Sequence, residues 1–216
     1  MEITYLGHSS FRLKASKGIV LTDPFDPDMV GLKFPKVSAD LVTVSHQHED
    51  HNRVNLVAEV KKEISGPGEY EVQGISFIGI PTYHDNEKGE KRGKNTIFVI
   101  EMDNLRILHL GDLGHDLTDE VYESVGSIDI LFIPVGGFYT IDSSVACEIV
   151  KNLENPITIP MHFQAEGLNP ETFAKLEGVE AFLSQIGLPV ERLEKLIIKK
   201  EEIIEEQKVI VLERKI

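Results

Sequence analysis

The sequence contains one cysteine, Cys147, and no tryptophan. A single cysteine excludes a disulfide within the chain and a cage of several thiolates around a metal ion. This agrees with a reducing compartment, so a cytoplasmic protein is expected. Long apolar runs are also lacking, because none approaches the roughly 18 residues of a transmembrane helix. An integral membrane protein is therefore not expected.

Basic side chains are scarce relative to acidic ones. The chain has 22 Lys and Arg against 36 Asp and Glu, a formal charge of −14. Such a charge repels phosphate backbones at long range, so nucleic acid is not an expected partner. The first residues, "MEITYLGHSSF", lack the basic and apolar regions of a signal peptide, which adds to the expectation of a cytoplasmic location.

Linkers, repeats and low-complexity segments are lacking as well. The 216 residues, of which 41% are hydrophobic, suit one domain covering 1–216. Short apolar runs alternate with polar turns throughout, and many of them predict strands. The clearest are "ITYLG", "FRLKA", "GIVLTDP", "ADLVTVS", "ISFIGIP", "NTIFVIEM", "LRILHLGD", "IDILFIPVGG" and "NPITIPMHF".

Helices are predicted at three places between these runs. The segment "NRVNLVAEVKKE" has Val54, Val57 and Val60 at helical spacing, and "TIDSSVACEIVKNL" begins with Asp142 as a helix cap. The third helix is "NPETFAKLEGVEAFLSQIG". The end of the chain, "LEKLIIKKEEIIEEQKVIVLERK", allows one charged helix, but its β-branched runs favour two strands. The pattern predicts two sheets packed face to face, with helices outside.

The segment "VTVSHQHEDHNRV" concentrates His46, His48, Glu49, Asp50 and His51 directly after an apolar run. In an extended segment His46 and His48 point the same way, and Asp50 and His51 follow as the chain turns. Neutral imidazole and carboxylate suit Zn²⁺, Mn²⁺ or Fe. The alternative is a solvated helix N-terminus, where acids are favoured by the helix dipole. Three histidines and an aspartate in H-x-H-x-D-H favour the metal site.

One cluster cannot fill the coordination spheres of two metal ions, so further ligands are expected elsewhere. His84 follows "ISFIGIPTY", Asp112 follows "LRILHLG" and His162 follows "ITIPM". Each alone would suit a surface position. Each nevertheless lies just past an apolar run, as His46 does, so four strand ends are expected to converge at one edge of the sheets.

These residues resemble the motifs of the metallo-β-lactamase superfamily, nearly from end to end of the chain. The box "HQHEDH" is the most specific match, and Asp23 in "LTDP" resembles the first motif of the family. His84, Asp112 in "LGD" and His162 in "PMHF" match its third, fourth and fifth motifs in order. The resemblance implies an α/β (α+β) fold, a four-layer αβ/βα sandwich of two mixed β-sheets with helices on the outer faces.

Two further segments, "YLGHSSF" and "IPVGGFYTIDSSVA", resemble one branch of the family. This branch holds metal-dependent hydrolases similar to the ascorbate-6-phosphate lactonase and to the phospholipase D that cleaves N-acyl phosphatidylethanolamine. Asp112 stands where true β-lactamases usually have cysteine, which argues against β-lactam hydrolysis.

The resemblance also implies roles for the site residues. One metal ion would be held by His46, His48 and His84. The second would be held by Asp50, His51 and His162, and Asp112 would bridge the two ions. Around them, Asp23 would orient a ligand histidine and His8 would lie close to the metals. Tyr139 and Thr140 are candidates for contact with substrate, although a helix cap explains Thr140 equally well.

The implied activity is dinuclear metal-dependent hydrolysis, in which a metal-bridged hydroxide attacks a small ester, lactone or phosphodiester. The expected cofactors are two divalent ions, zinc first, with manganese or iron as alternatives. Asp50 is the expected catalytic residue, accepting a proton from water and returning it to the leaving group. Two alternatives stay open: an iron-dependent oxidoreductase on the same scaffold, and a non-catalytic metal-binding protein.

The expected partner is a small-molecule substrate. The loop after His84, "DNEKGEKRGKN", carries Lys88, Lys91, Arg92 and Lys94. It is either a flexible surface turn or a mobile flap that meets an anionic substrate. A homo-oligomer is compatible with the sequence.

Overall fold

The computed structural model describes residues 1–215 and contains two mixed β-sheets. The first sheet has six strands in the order β13-β1-β2-β3-β4-β5. Their bounds are β1 (Glu2–Gly7), β2 (Ser10–Ala15), β3 (Gly18–Thr22), β4 (Leu41–Val44), β5 (Lys62–Ser65) and β13 (Leu196–Ile197).

The second sheet has eight strands in the order β12-β14-β11-β10-β9-β8-β7-β6. Four of them come from the middle of the chain: β6 (Gly68–Val72), β7 (Ile75–Tyr83), β8 (Lys94–Met102) and β9 (Leu105–His109). The other four are β10 (Ile130–Pro134), β11 (Ile157–Met161), β12 (Val190–Leu193) and β14 (Lys208–Leu212).

Five α-helices accompany the sheets within residues 1–215: α1 (Pro27–Val30), α2 (Asp119–Val125), α3 (Ser143–Leu153), α4 (Pro170–Phe173) and α5 (Val179–Ile186). Two short 3₁₀ helices cover Val54–Leu56 and Lys200–Glu202. None of the helices in this part of the chain has the length and apolar character needed to cross a bilayer.

Aromatic side chains fill the space between the two sheets. The ring of Phe11 on β2 stacks on the ring of Phe132 on β10, with centroids 4.1 Å apart and planes 9° apart. Tyr5 on β1 extends this contact, at 5.0 Å from Phe11. These side chains belong to one buried apolar cluster to which both sheets contribute. The sheets therefore pack face to face, as the sequence predicts.

The outer faces of the sheets are covered differently. On β10, Leu131 and Ile133 point away from the first sheet, because successive side chains in a strand alternate between faces. They pack in a cluster with Ile149 of α3 and Phe182 of α5. Only the four-residue helices α1 and α4, together with loops, cover the outer face of the six-stranded sheet. The two sheets with outer helices confirm the predicted sandwich.

The helix predicted from "NRVNLVAEVKKE" is wrong. Only Val54–Leu56 forms a 3₁₀ turn, and the chain then enters β5. Ala58 bonds through its backbone to the neighbouring segment at Val37 and Ala39, and Ile64 is buried in β5. Valines three residues apart fit a helix, but here pairing with adjacent chain segments satisfies the backbone instead.

The later helices follow the sequence more closely. The carboxylate of Asp142 accepts a hydrogen bond from the backbone N–H of Val145, so the predicted cap of α3 is confirmed. The segment predicted as one helix up to Gly187 is two helices, α4 and α5, because Gly178 starts a new helix. The end of the chain forms strands β13 and β14 as predicted, while β12 is an additional strand.

Strand direction brings the polar strand ends together. β1, β3 and β4 run the same way, because β2 is antiparallel to both β1 and β3, and β4 is parallel to β3. In the other sheet β7, β9, β10 and β11 also share one direction. The carboxyl ends of seven strands therefore lie at one edge of their sheets.

The stacked pair at the centre of the core gives a stability prediction. Replacing Phe132 with alanine should lower the free energy of unfolding by about 3–5 kcal/mol, because it removes a buried ring and leaves a cavity. Urea unfolding followed by circular dichroism measures this. Ile197→Ala is the control: Ile197 is 65% exposed, and its loss should change little. Equal effects of the two substitutions would contradict the assigned core.

Candidate metal centre and its surroundings

Polar side chains stand at the ends of the converging strands. In the six-stranded sheet, His8 follows β1, Asp23 follows β3 and His46 lies two residues after β4. In the eight-stranded sheet, His84 follows β7 and His162 follows β11. Asp112 lies three residues after the end of β9. The structure thus brings the expected residues to the same edge.

The histidine box forms an irregular turn after β4. The imidazole Nε2 of His46 lies 3.0 Å from Nδ1 of His48, and the backbone N–H of His51 donates to the carbonyl of His48 at 3.0 Å. Gln47 and Glu49 are exposed, whereas Asp50 and His51 are buried. The box therefore directs its carboxylate and its third histidine into the protein.

Three histidines form the first group. One ring nitrogen from each of His46, His48 and His84 lies within 4.8 Å of the others. The ring centroids of His46 and His84 are 4.8 Å apart, and those of His48 and His84 are 5.1 Å apart. His84 comes from the eight-stranded sheet and the other two follow the six-stranded sheet. This group could hold a metal ion between the sheets.

A second group combines a carboxylate with three histidines, and its ligand atoms also lie within 4.8 Å of one another: His8, Asp50, His51 and His162. The Nε2 atom of His8 is 3.1 Å from Oδ2 of Asp50. The rings of His8 and His162 are 4.2 Å apart. His8 therefore joins the site and offers this group a fourth donor.

Asp112 lies between the two groups. Its Oδ1 atom is 3.1 Å from Nε2 of His51, in the second group. Its Oδ2 atom is 3.1 Å from Nε2 of His84, in the first, and 3.2 Å from Nε2 of His162. Asp112 is only 1% exposed. Its carboxylate thus contacts members of both groups.

Comparison with known proteins places the chain among proteins of similar sequence and fold. A profile of the Beta-lactamase superfamily domain matches residues 2–162. A metal-dependent hydrolase of Thermoplasma acidophilum is 32% identical, with 88% of this chain and 98% of the relative covered. The crystal structure of a candidate Zn-dependent hydrolase of the metallo-β-lactamase superfamily from Thermotoga maritima is 38% identical. It covers 99% of both chains, with a TM-score of 0.83.

The chain belongs to the metallo-β-lactamase superfamily. It is a metal-dependent hydrolase, the class that its relatives share. A more distant structure is CmlA, a diiron β-hydroxylase of Streptomyces venezuelae, at 15% identity and a TM-score of 0.54. The alignment covers 74% of this chain and 44% of CmlA, and it shows a shared fold.

The buried donor atoms of this metallo-β-lactamase-fold site fit bound cations. Several that face the site have no hydrogen-bond partner within residues 1–215: Asp50 Oδ1, Asp112 Oδ1, His51 Nε2 and His162 Nε2. Buried polar atoms without partners are costly, and a bound ion is one way to satisfy them. Imidazole nitrogen and carboxylate oxygen are the donors that Zn²⁺ and Fe accept.

Electrostatics in the site depend on burial and on close pairing. Burial, with the charge of His162, lowers the pKa of His8 to about 4. Burial also lowers the pKa of His46 to about 3. Burial opposes ionisation of Asp112, yet the adjacent histidines hold its pKa well below the usual value. His51 differs from His8 and His46: burial opposes its charge, but nearby carboxylates, Asp112 first, raise its pKa well above the usual value. Metal binding requires the neutral imidazole, so His51 would release a proton when an ion binds.

Asp23 lies behind the second group. Its Oδ2 atom is 2.8 Å from Nδ1 of His51. It also accepts two hydrogen bonds from Ser45, one from the backbone N–H at 2.8 Å and one from the hydroxyl at 2.6 Å. Burial opposes ionisation of Asp23, but the His51 hydrogen bond and neighbouring charge lower its pKa. Asp23 therefore fixes the orientation of His51, with Nε2 turned towards Asp112.

Three residues of this edge have left-handed backbone conformations. The φ angles are 56° for His8, 41° for Asp23 and 50° for His162, and each residue directly follows a strand. This conformation costs non-glycine residues of the order of 1–3 kcal/mol and persists where surrounding structure enforces it. The sharp turn lets each side chain bend from the strand into the site.

A cavity of about 340 Å³ adjoins both groups, and it is lined by Met29, His48, Asp50, His84, Arg92, Asp112, Tyr139, Thr172 and Phe173. The Tyr139 hydroxyl donates to the carbonyl of Thr172 at 2.8 Å, so its ring forms a fixed wall. Thr140 does not line this cavity, and its hydroxyl lies 3.3 Å from the carbonyl of Ile141. Of the two candidates for substrate contact, Tyr139 lines this cavity and Thr140 does not.

Sequence reasoning missed Asp85, the residue after His84. Its buried carboxylate accepts backbone hydrogen bonds of 2.7 to 3.0 Å from Glu87, Gly89, Lys91 and Arg92. Burial opposes ionisation, but these hydrogen bonds lower the pKa of Asp85 to about 2. The Asp-Asn pair before a glycine-rich stretch was the available signal, since Asp often accepts backbone hydrogen bonds in turns. The loop thus has an internal scaffold.

Asp23 gives a prediction about metal affinity. Asp23→Asn should weaken binding of Zn²⁺ by roughly 10–100-fold, because partners that orient a ligand histidine contribute that much. Competition with a chelating dye measures the affinity. Asp129→Asn is the control, since Asp129 is equally buried but precedes β10, at the opposite strand end. Unchanged affinity in Asp23→Asn would contradict the role assigned to Asp23.

Asp85 gives a prediction about stability and pH. Asp85→Asn should lower the free energy of unfolding at pH 7 by about 1–3 kcal/mol, because an amide NH₂ would face two backbone donors. The folded pKa of about 2 lies below the unfolded value of about 3.9, so the ionised carboxylate stabilises the fold above pH 4. The difference from wild type should shrink as the pH falls from 4 towards 2.

Urea unfolding at pH 7, 4 and 2.5 measures this difference. Glu90→Gln is the matched control in the same loop, because Glu90 is exposed and its side chain makes no hydrogen bond or ion pair within residues 1–215. A pH-independent difference for Asp85→Asn would show that charge on Asp85 does not matter.

Proposed function

We propose that the protein is a dinuclear metal hydrolase that cleaves a small ester, lactone or phosphodiester. In this proposal one ion is held by His46, His48 and His84. The other is held by Asp50, His51 and His162, and Asp112 belongs to both sites. The observation that carries the proposal is the position of Asp112, whose two oxygens lie 3.1 Å from His51 in one group and 3.1 Å from His84 in the other.

Two divalent ions, when bound, supply positive charge for the substrate oxygen and a water molecule of lowered pKa. The chain's own residues then have defined tasks. Asp50 has one oxygen 3.1 Å from His8 and another without a hydrogen-bond partner in residues 1–215. That free oxygen can accept a proton from water and return it to the leaving group. His8 keeps the carboxylate in place through its hydrogen bond.

Zinc is the first candidate because most of the donors are imidazoles, although iron also accepts imidazole and manganese accepts the carboxylates. The fold of CmlA, a diiron β-hydroxylase, supports iron oxidation chemistry as the second candidate. Metal analysis of protein purified without chelators separates the two. Iron as the main metal, with oxygen uptake, would overturn the hydrolase proposal, and a site without turnover would favour a metal-binding protein.

Substitutions of the metal-binding residues test the proposed dinuclear arrangement. His84→Ala and His162→Ala should each reduce the bound metal from about two ions per chain towards one, because each removes a ligand from a different site. Asp112→Ala should reduce both and abolish hydrolysis of a chromogenic lactone or phosphodiester. Inductively coupled plasma mass spectrometry counts the metals, and circular dichroism checks the fold.

His115→Ala serves as the control for these variants. His115 lies at the surface near the same edge, where its ring accepts a hydrogen bond from the backbone of Tyr83, and it belongs to neither group. Metal content and turnover should therefore stay at the wild-type level. Retention of two ions in Asp112→Ala, with unchanged turnover, would remove Asp112 from the proposed bridging position.

A further inference from the structure

We propose that Arg92 is the specificity-determining residue of the site and that it selects small substrates carrying an oxyanion, a carboxylate or a phosphate. This inference rests on the proposed hydrolytic function and names its substrate class. Arg92 is the one lysine or arginine among the residues that line the 340 Å³ cavity. It faces the same space as Asp50, His84 and Asp112.

The guanidinium of Arg92 is held in place by neighbours that do not neutralise its charge. One N–H donates to the carbonyl of Phe138 at 3.1 Å. The guanidinium carbon lies 5.5 Å from the centroid of the Tyr139 ring, a cation–π distance. No carboxylate within residues 1–215 lies within 4.0 Å of it. Arg has five N–H donors in a planar fork, so donors remain for a carboxylate or phosphate.

The loop holds Arg92 at this place through its backbone. The carboxylate of Asp85 accepts the N–H of Arg92 at 2.7 Å, and the N–H of His84 donates to the carbonyl of Gly93 at 3.0 Å. This backbone hydrogen bond joins the two ends of the loop next to His84, a proposed metal ligand. A preorganised cation loses less entropy on binding than a mobile one.

The other basic residues of the loop do not share this position. Lys88 and Lys91 are exposed, and Lys91 pairs with Glu87. Lys94 lines only a second cavity, of about 540 Å³, on the side of His46 and Gly66, whereas Arg92 borders both cavities. The second cavity is not lined by Asp50 or Asp112. The smaller cavity is lined by residues of both the first and the second group of candidate ligands. The smaller cavity is therefore the place where a substrate would meet both.

The walls of this cavity define the rest of the substrate. Met29, Tyr139 and Phe173 provide the apolar surface of the cavity, with the Tyr139 ring beside Arg92. A volume of about 340 Å³ is at the lower end of the range for small-molecule pockets. The cavity fits a compact molecule whose apolar part lies against these walls and whose oxyanion lies at Arg92. Its scissile bond would then lie beside Asp50, His84 and Asp112.

Two matched esters test the substrate class on the metal-loaded protein. One is 4-nitrophenyl hydrogen fumarate, whose trans carboxylate cannot attack its own ester, and the other is its neutral methyl ester. Wild type should prefer the anion in kcat/KM. Arg92→Gln should lose about 10–100-fold on the anionic ester, mainly through KM, since a charged hydrogen bond contributes that much. The neutral ester should change by less than about twofold, within the scatter of surface substitutions.

Two further variants separate shape from charge. Arg92→Lys keeps the charge but loses the planar fork, so it should recover only part of the preference. Lys88→Gln removes the same charge from the same loop, and it should keep the full preference because Lys88 does not line the cavity. Equal losses on both esters in Arg92→Gln, or an equal loss of preference in Lys88→Gln, would overturn the assignment of Arg92.

Binding of 4-nitrobenzoate, measured by calorimetry, gives a readout that needs no turnover. Its Kd should rise about tenfold or more in Arg92→Gln and stay unchanged in Lys88→Gln. If neither ester is hydrolysed while binding still depends on Arg92, the hydrolytic proposal fails and the inference stands. If both esters are hydrolysed while neither binding nor preference depends on Arg92, the inference fails and the hydrolytic proposal stands.

Discussion

The site depends on the contacts that the buried carboxylate of Asp112 makes with three histidines. Asp112 is 1% exposed, and its carboxylate lies within 3.2 Å of imidazole nitrogens from His51, His84 and His162. A buried carboxylate without compensating charge is strongly unfavourable, so its partners must be in place. Those partners come from both sheets. These contacts therefore require that the two sheets present their strand ends at the same edge.

The directions of the strands alone are enough to bring the strand ends of each sheet to one edge. β1, β3 and β4 share one direction in the first sheet, as do β7, β9, β10 and β11 in the second. The stacked rings of Phe11 and Phe132 hold the sheets face to face. Left-handed turns at His8, Asp23 and His162 then bend three side chains inwards. Strain at these turns is tolerated because the sheets on both sides fix the backbone.

Much of this arrangement could be predicted from the sequence, because its signals are local. The continuous apolar run before His46 indicates a strand buried on both faces, and His46 to His51 are close in space because they are close in sequence. His84, Asp112 and His162 follow apolar runs in the same way. The helix predicted after Asn52 is wrong, because valines spaced by three also fit an extended chain that pairs with its neighbours.

Other features depend on contacts that the sequence pattern does not record. The four lysines and arginines after His84 are equivalent in sequence, yet only Arg92 lines the cavity beside both metal groups. Its position follows from the buried carboxylate of Asp85, which gathers four backbone N–H groups. The hydrogen-bond partners of Asp85 are determined by how the loop folds, and they cannot be read from its amino-acid composition.

The loop between His84 and Gly93 connects the proposed substrate-selecting residue with a proposed metal ligand. His84 occupies one end, and the N–H of His84 donates to the carbonyl of Gly93 at the other. Arg92 therefore cannot move far without disturbing a residue of the first histidine group. At the tip, exposed side chains such as that of Lys88 can change while both ends stay in place. The backbone there is less free, because Asp85 accepts the N–H groups of Glu87 and Gly89. The proposed substrate selection is then most readily changed at Arg92 itself or at Tyr139, whose ring centroid lies 5.5 Å from the guanidinium carbon, while Asp85 holds the backbone of the loop.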